Sequence, residues 1–242
     1  MDLGLKGRGA LVAAASKGLG RACAEALISE GADVFISSRD AASIESTAKQ
    51  IGAAGWVAAD VSKPGDPEAL VSAAVARLPS LDVLVVNAGG PPPGTFQSTA
   101  LEMWDVAFQL TLMSAVRLIR AGLPHLKRSE QGRIVCITSI SVRQPIPNLI
   151  LSNSLRAGVT GLAKTLSREL APDGITVNCL APDGILTDRI RELKLSAANS
   201  AMGRFGDPSE FAAACAFLCS KQAGYITGQT LGVDGGSLVG VH

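Results

Sequence analysis

The chain is poor in the side chains that most often carry proton chemistry near neutral pH. Among 242 residues there are two histidines, His125 and His242, and one tyrosine, Tyr225. Aromatic residues make up 4% of the chain and charged residues 18%, with a formal net charge of +1. So even a balance gives no reason to expect nucleic acid or an anionic membrane as partner. No uninterrupted apolar run reaches membrane-spanning length, and the N-terminus has no charged segment leading into an apolar signal core; a cytoplasmic protein is expected. The cysteines, Cys23, Cys136, Cys179, Cys215 and Cys219, are odd in number and sit mostly in apolar stretches, as buried reduced thiols would. Cys215 and Cys219 lie one helical turn apart, but both histidines are distant in sequence, so no metal is expected. What the chain has in quantity is apolar residues, 47%, which excludes disorder. Its length suits one α/β domain spanning 1–242.

The organising stretch is 11–28, LVAAASKGLGRACAEALI. Leu11–Ala15 is a short apolar run of strand length. Ser16, Lys17, Gly18, Leu19 and Gly20 form a turn, and Cys23, Ala24, Leu27 and Ile28 then recur at helical spacing. Such a turn sets unpaired N–H groups and the positive end of a helix at a strand's carboxyl edge, where a phosphate fits. The glycine pattern is incomplete, because Ala14 stands where a dinucleotide turn has another glycine. An ordinary strand–helix corner would look similar, so the next element matters. Strand Val34–Ser38 ends where an acidic residue would bind the adenosine ribose of NAD. Ser38 and Arg39 stand there instead, and Lys17 adds a cation in the turn. As a set they favour NADP(H) over NAD(H); taken singly they would be solvated surface charges.

Strands and helices alternate onward. Helical patterns fall at about Ala42–Ile51 and Pro67–Leu78, with strands at Trp56–Asp60 and Val83–Asn87. Asp60 ends the third strand, where it would accept from an adenine amino group or simply cap a turn. Asn87, Ala88 and Gly89 end the fourth, placed to bond across to a neighbouring strand and leave room for a flat ligand. A stiff loop, Gly90–Gly94, precedes a helix at about Val106–Leu126 that is apolar on several sides, one for the sheet and another for a second subunit. The fifth strand, Gly132–Ser139, ends at Ser139. A helix follows at about Ser152–Leu170, then strand Thr176–Leu180, helix Pro208–Cys219 and a final strand in YITGQTLGVDGG.

The pieces ASKGLG, DVS from Asp60 through Val61, NAGG, GRIVCITS, GLAKTLSREL, GITVNCLAP with Pro182 and Thr187, and YITGQTLGVDGG occur in family order over the whole chain. Together they resemble the short-chain dehydrogenase/reductases, in the style of the 3-oxoacyl-(acyl carrier protein) reductases. The resemblance implies an α/β, doubly wound Rossmann-type fold of about seven parallel strands with helices on both faces. It also implies a nicotinamide cofactor, a small carbonyl substrate such as an acyl thioester, and a homotetramer. The apolar helices and the C-terminal LVGVH suit that assembly.

The resemblance also shows what is missing. The family uses a serine, a tyrosine with a lysine four residues on, and an asparagine in the long helix. Ser139 matches the serine, but Ser152 stands at the tyrosine, Arg156 at the lysine and Thr111 at the asparagine. Tyr225 belongs to the YITG segment and cannot substitute. Ser152 is a poor proton donor and Arg156 does not titrate, though Arg156 would still bind ribose hydroxyls or stabilise an alkoxide. Asp183, which replaces the glycine usual after Pro182, is placed to pair with Arg156. Arg143, near the same cleft, would suit a carboxylate or phosphate. Three functions stay open: a carbonyl reductase with altered proton delivery, a non-catalytic nucleotide-binding member of the fold, and another reaction class at a carbonyl.

Overall fold

The computed structural model describes residues 1–192 and 200–240. Its centre is a seven-stranded sheet in the order β3-β2-β1-β4-β5-β6-β7, with every neighbouring pair parallel. The strands are β1 (Gly9–Val12), β2 (Asp33–Ser38), β3 (Gly55–Ala58), β4 (Val83–Val86), β5 (Arg133–Ile137), β6 (Thr176–Pro182) and β7 (Thr230–Val233). The inner strands are apolar at nearly every position because helices cover both faces. Alternate residues of β1 show this directly: Leu11 packs with Leu70, Leu118 and Val159, while Ala10 and Val12 pack with Leu27, Ile44 and Phe211. One layer therefore holds α3 (Asp66–Val75), α5 (Ser114–Leu126) and α6 (Ile150–Glu169). The other holds α1 (Gly18–Ser29), α2 (Ala41–Ile51) and α8 (Pro208–Cys219).

Element ends shift by a few residues from the sequence expectation. β1 begins at Gly9 rather than Leu11, because Gly9 pairs with Asp33 and its N–H is held by Asp82 Oδ2 at 2.9 Å. The long helix begins at Leu101 rather than Val106, as α4 (Leu101–Phe108), and runs through a π-turn (Gln109–Met113) into α5. Its first turns carry no core periodicity: Leu101, Val106 and Phe108 face outward, with Leu101 80% exposed. A short helix, α7 (Asp188–Glu192), was not foreseen.

The run Leu101–Leu126 has a membrane span's length and a mean hydropathy of 1.3. However, Ser114, Ala115, Leu118, Ile119, Gly122 and Leu126 are buried. Gly122 lies so close to β4 that a Cβ there would sit 3.2 Å from Leu84 Cδ2. This helix is part of the sheet's covering layer. Of the apolar C-terminal segment, Val241 and His242 lie outside the described residues.

Candidate active site

The chain crosses from β3 to β4 and places β4 beside β1, so the strand order reverses between them. In an open parallel sheet the crevice at the carboxyl ends of those two strands is the natural ligand site. The turn after β1 lies there. Ala14 adopts φ +50°, the left-handed conformation that a glycine would take, so the fingerprint is kept in shape although not in residue type. Lys17 is the extended N-cap of α1 and makes no side-chain cap, so the first N–H groups of α1 remain for a ligand. Ser16 gives its carbonyl to Thr47 Oγ1 at 2.9 Å. Gly18 has φ +60°, and Gly20 is packed tightly: a Cβ there would lie 2.4 Å from Ala14 O and 2.7 Å from Asn87 Nδ2. Asn87 makes the expected cross-strand bonds, donating to Ala13 O at 3.2 Å and Ala14 O at 3.1 Å. The loop after β6 closes over this turn, since a Cβ on Gly18 would meet Thr187 Cγ2 at 3.7 Å.

The rim carries the other cofactor candidates. Ser38 is buried and its Oγ donates to Asp40 O at 3.2 Å, while Arg39 and Lys17 are exposed. Asp60 takes the capping role: its Oδ1 accepts from Ser62 N at 3.1 Å and Ser62 Oγ at 2.7 Å. Burial works against its ionisation, but those bonds and the nearby Arg39 and Lys63 outweigh it and hold the carboxyl below its usual range. Val61 is buried beneath it, and Gly89 is exposed after Asn87 and Ala88. Pro182 ends β6. A glycine-lined turn, free helix N–H groups and two exposed cations at one edge fit a dinucleotide.

A second corner lies between β5 and α6. Ser139 follows β5 as the N-cap of a 3-10 turn (Ile140–Val142), where its Oγ accepts from Ser141 N at 3.2 Å. Ser152 and Arg156 are four residues apart on α6 and so share one face. Arg156 Nη1 donates to Ile137 O at 2.8 Å and Thr138 O at 3.1 Å, the two carbonyls just before Ser139. Ser152, in the first turn of the 20-residue α6, is buried and makes no hydrogen bond within the described residues. Beneath this corner is a cavity with room for about one water molecule, whose polar lining is Asn87, Thr111, Ser114 and Arg156. Thr111 sits in the π-turn, 6% exposed, with its Oγ1 lacking a partner. No periodicity in the sequence marks that turn.

One expected contact does not form. No ion pair joins Asp183 to Arg156 among the described residues; Arg156 turns instead to the carbonyls at the end of β5. Arg143 is exposed, and its Nη2 donates to Thr230 O at 2.7 Å. The five cysteines are free and buried. Bonds to neighbouring thiols, together with burial, push Cys23, Cys136 and Cys219 up and keep them protonated. Among the described residues no group of three histidines, cysteines or carboxylates could hold a metal ion.

Fold, glycine turn and hydroxyl–guanidinium corner define a dinucleotide-dependent oxidoreductase. The family model described as enoyl-(acyl carrier protein) reductase matches residues 13–237, and the chain belongs to the short-chain dehydrogenase/reductase family. Solved structures similar to it include the following three. L-sorbose reductase from Gluconobacter frateurii, complexed with NADPH and L-sorbose, has a TM-score of 0.95 at 31% identity, covering 100% of both chains. The 3-ketoacyl-(acyl-carrier-protein) reductase from Brucella melitensis, complexed with NADH, has a TM-score of 0.91 at 35% identity, covering 96% of this chain and 99% of that one. An NADPH-bound short chain oxidoreductase from Pseudomonas aeruginosa PAO1 with an atypical catalytic centre has a TM-score of 0.90 at 30% identity, covering 96% of each. The protein is an NAD(P)H-dependent oxidoreductase, and of the readings left open by the sequence these likenesses favour an enzyme over a non-catalytic member.

Proposed function

We propose that the protein is an NADP(H)-dependent reductase of carbonyl compounds, resembling the 3-oxoacyl-(acyl carrier protein) reductases, in which no side chain delivers the proton. The observation that carries the reading is the corner itself. Ser139 is kept, while Ser152 and Arg156 occupy the proton-donating positions with a hydroxyl and a cation that do not titrate near neutral pH. When bound, the nicotinamide cofactor supplies a hydride. Ser16, Lys17, Gly18, Leu19 and Gly20 cradle its phosphates. Ser38 and Arg39 with Lys17 select the 2′-phosphate, and Asn87, Ala88, Gly89, Pro182 and Thr187 flank the nicotinamide half. Asp60 and Val61 border the adenine. Ser139 and Ser152 hold the substrate oxygen, Arg156 stabilises its negative charge, and water brings the proton. The protein works as a single domain over 1–242, in the cytoplasm, as a homotetramer joined through the outward-facing Leu101, Val106 and Phe108.

Calorimetric titration with NADPH and NADH tests the cofactor reading. NADPH should bind at least about tenfold more tightly, and Arg39→Ala should remove most of that difference, since one charge-assisted phosphate bond accounts for about a tenfold factor. Equal affinities in the unaltered protein would contradict it.

A further inference from the structure

The open edge of the sheet carries a groove that the cofactor site does not use. β3 is the terminal strand, with β2 on one side and no strand on the other. α2 and α3 pack on its two faces and leave a groove of about 600 Å³ along the edge between them, a size typical of small-ligand sites. Its floor is Phe35, Trp56 and Val57. Two aromatic side chains in one groove are a concentration in a chain that is 4% aromatic. The walls stay low because the helix residues facing it, Ala48, Ala73 and Ala76, are alanines. The groove lies along the first residues of β3, whereas Asp60 and Val61 follow its far end, and none of the cofactor candidates lines it.

Two cations stand at the mouth, Lys49 and Arg77, and no carboxylate is among the described residues that line it. Lys49 is already matched, since its Nζ pairs with Glu45 Oε1 at 2.8 Å. Arg77 is exposed and differently placed. Its stem runs along β3, so that a Cβ on Gly55 would lie 3.1 Å from Arg77 Cγ. Its Nε donates to Ala54 O at 3.1 Å, which fixes the guanidinium at the end of the groove, and its terminal nitrogens make no bond among the described residues. The site thus offers an apolar trough closed by one unmatched positive fork. That fork suits a carboxylate, and the single net charge suits a monoanion. The same two cations discourage another strand from pairing at this edge.

We propose that this groove is a second ligand site, which takes an amphiphilic monocarboxylate with an unbranched chain of about ten carbons. The chain lies over Trp56 and Val57 between the alanines, and the carboxylate meets Arg77. Burial of the chain drives binding, and the fork sets its direction and charge. The inference stands on the β3 edge alone and goes beyond the proposed reductase reading.

Decanoate titrated into the full chain by calorimetry tests it. Binding should saturate at one molecule per chain and should keep its affinity within about twofold when NADPH is saturating, because the two sites share no residue. Displacement by NADPH would place the acid in the cofactor site and overturn the proposal. Arg77→Gln should weaken decanoate at least about tenfold and leave decanol almost unchanged. Equal loss of acid and alcohol would show that Arg77 only packs there. Decyltrimethylammonium should bind at least about tenfold more weakly than decanoate; equal binding would reduce the groove to an unselective apolar surface. Ala76→Leu, an exposed position at the end of α3, should fill the trough and weaken acid and alcohol alike. Retained binding of both would put the ligand elsewhere. A second readout needs no heat signal. In Trp104→Phe the sole remaining tryptophan is Trp56, and its emission should change with the calorimetric midpoint. Binding without that change would also overturn the proposal. So would a fall in the mass seen by light scattering as decanoate binds, since it would show a second copy of this chain to be the groove's occupant.

Discussion

Asn87 Nδ2 donates to Ala14 O at 3.1 Å and so ties the end of β4 to the turn that follows β1. Gly20 makes that bond possible, because its missing Cβ would fall 2.4 Å from Ala14 O and 2.7 Å from Asn87 Nδ2. Neither neighbour is free to give way: one is backbone and the other is pinned by two bonds. Gly20→Ala should therefore lower NADPH affinity at least about tenfold and destabilise the fold by about 1–3 kcal/mol, as overpacking does. Calorimetry and urea unfolding check both numbers. Unchanged affinity would mean that the turn does not need this close approach.

Much of this site was legible because spacing is preserved where chemistry is not. The Ser139–Ser152–Arg156 interval and the Gly18–Gly20 turn stand in order, and the structure brings each set to one place at the carboxyl edge. Ala14 looked like a break in the pattern, but its backbone takes the left-handed shape anyway, which residue type alone does not reveal. The π-turn around Thr111 was hidden for a different reason: one extra residue in a helix leaves no mark on an apolar stripe this broad. No Arg156–Asp183 ion pair forms among the described residues, where Arg156 donates to two backbone carbonyls at the end of β5, and carbonyls carry no sequence signal.

Ala14 gives a prediction in which two effects compete. A non-glycine residue at φ +50° costs about 1–2 kcal/mol, and a glycine in its place relieves this but loosens the unfolded chain by about 0.4–1 kcal/mol. Ala14→Gly should thus be neutral to stabilising by about 1 kcal/mol. Ala14→Val should destabilise, because a β-branched side chain is worse in that region. Denaturant midpoints of the two variants give the order, and a stable Ala14→Val would contradict the strained turn.

The thiols should be silent in the folded protein. All five are buried and free, with Cys136 and Cys179 facing each other in register on β5 and β6. Cys23, Cys136 and Cys219 are held as neutral thiols. A thiol-reactive dye should label the native protein no faster than it unfolds, and all five groups should react in denaturant. Rapid labelling of even one would show local opening of the α1–α8 layer or of the sheet.

The start of α8 should resist acid. Arg204 clasps Glu210 through both oxygens, at 2.7 and 2.6 Å, and the Asp207 N–H adds a third bond at 2.8 Å. The Arg204 guanidinium first, and that N–H second, bring Glu210 from 4.5 down to about 2. A lowered folded value means that its contribution is complete above the ordinary carboxylate range and fades as pH falls from about 4.5 through about 2. Carbon-13 titration of the Glu210 carboxyl should give a midpoint near that low value, and Arg204→Gln should raise it toward the ordinary one. A midpoint above 4 in the unaltered protein would show that the clasp is open in solution.

The corner itself can be converted. Ser152→Tyr with Arg156→Lys restores a phenol and an ammonium at positions one helical turn apart, beside a Ser139 already in place. A well-placed general acid contributes about 10²–10⁴-fold, so the double variant should gain on that scale with a 3-oxoacyl thioester. Ser152→Tyr alone should gain less, because Arg156 cannot take or pass a proton. Adding Thr111→Asn should raise the rate further, since the unpartnered Thr111 Oγ1 already faces a cavity the size of one water molecule. A double variant that folds and binds NADPH but leaves the thioester rate unchanged would mean that the missing acid is not what sets the chemistry of this site.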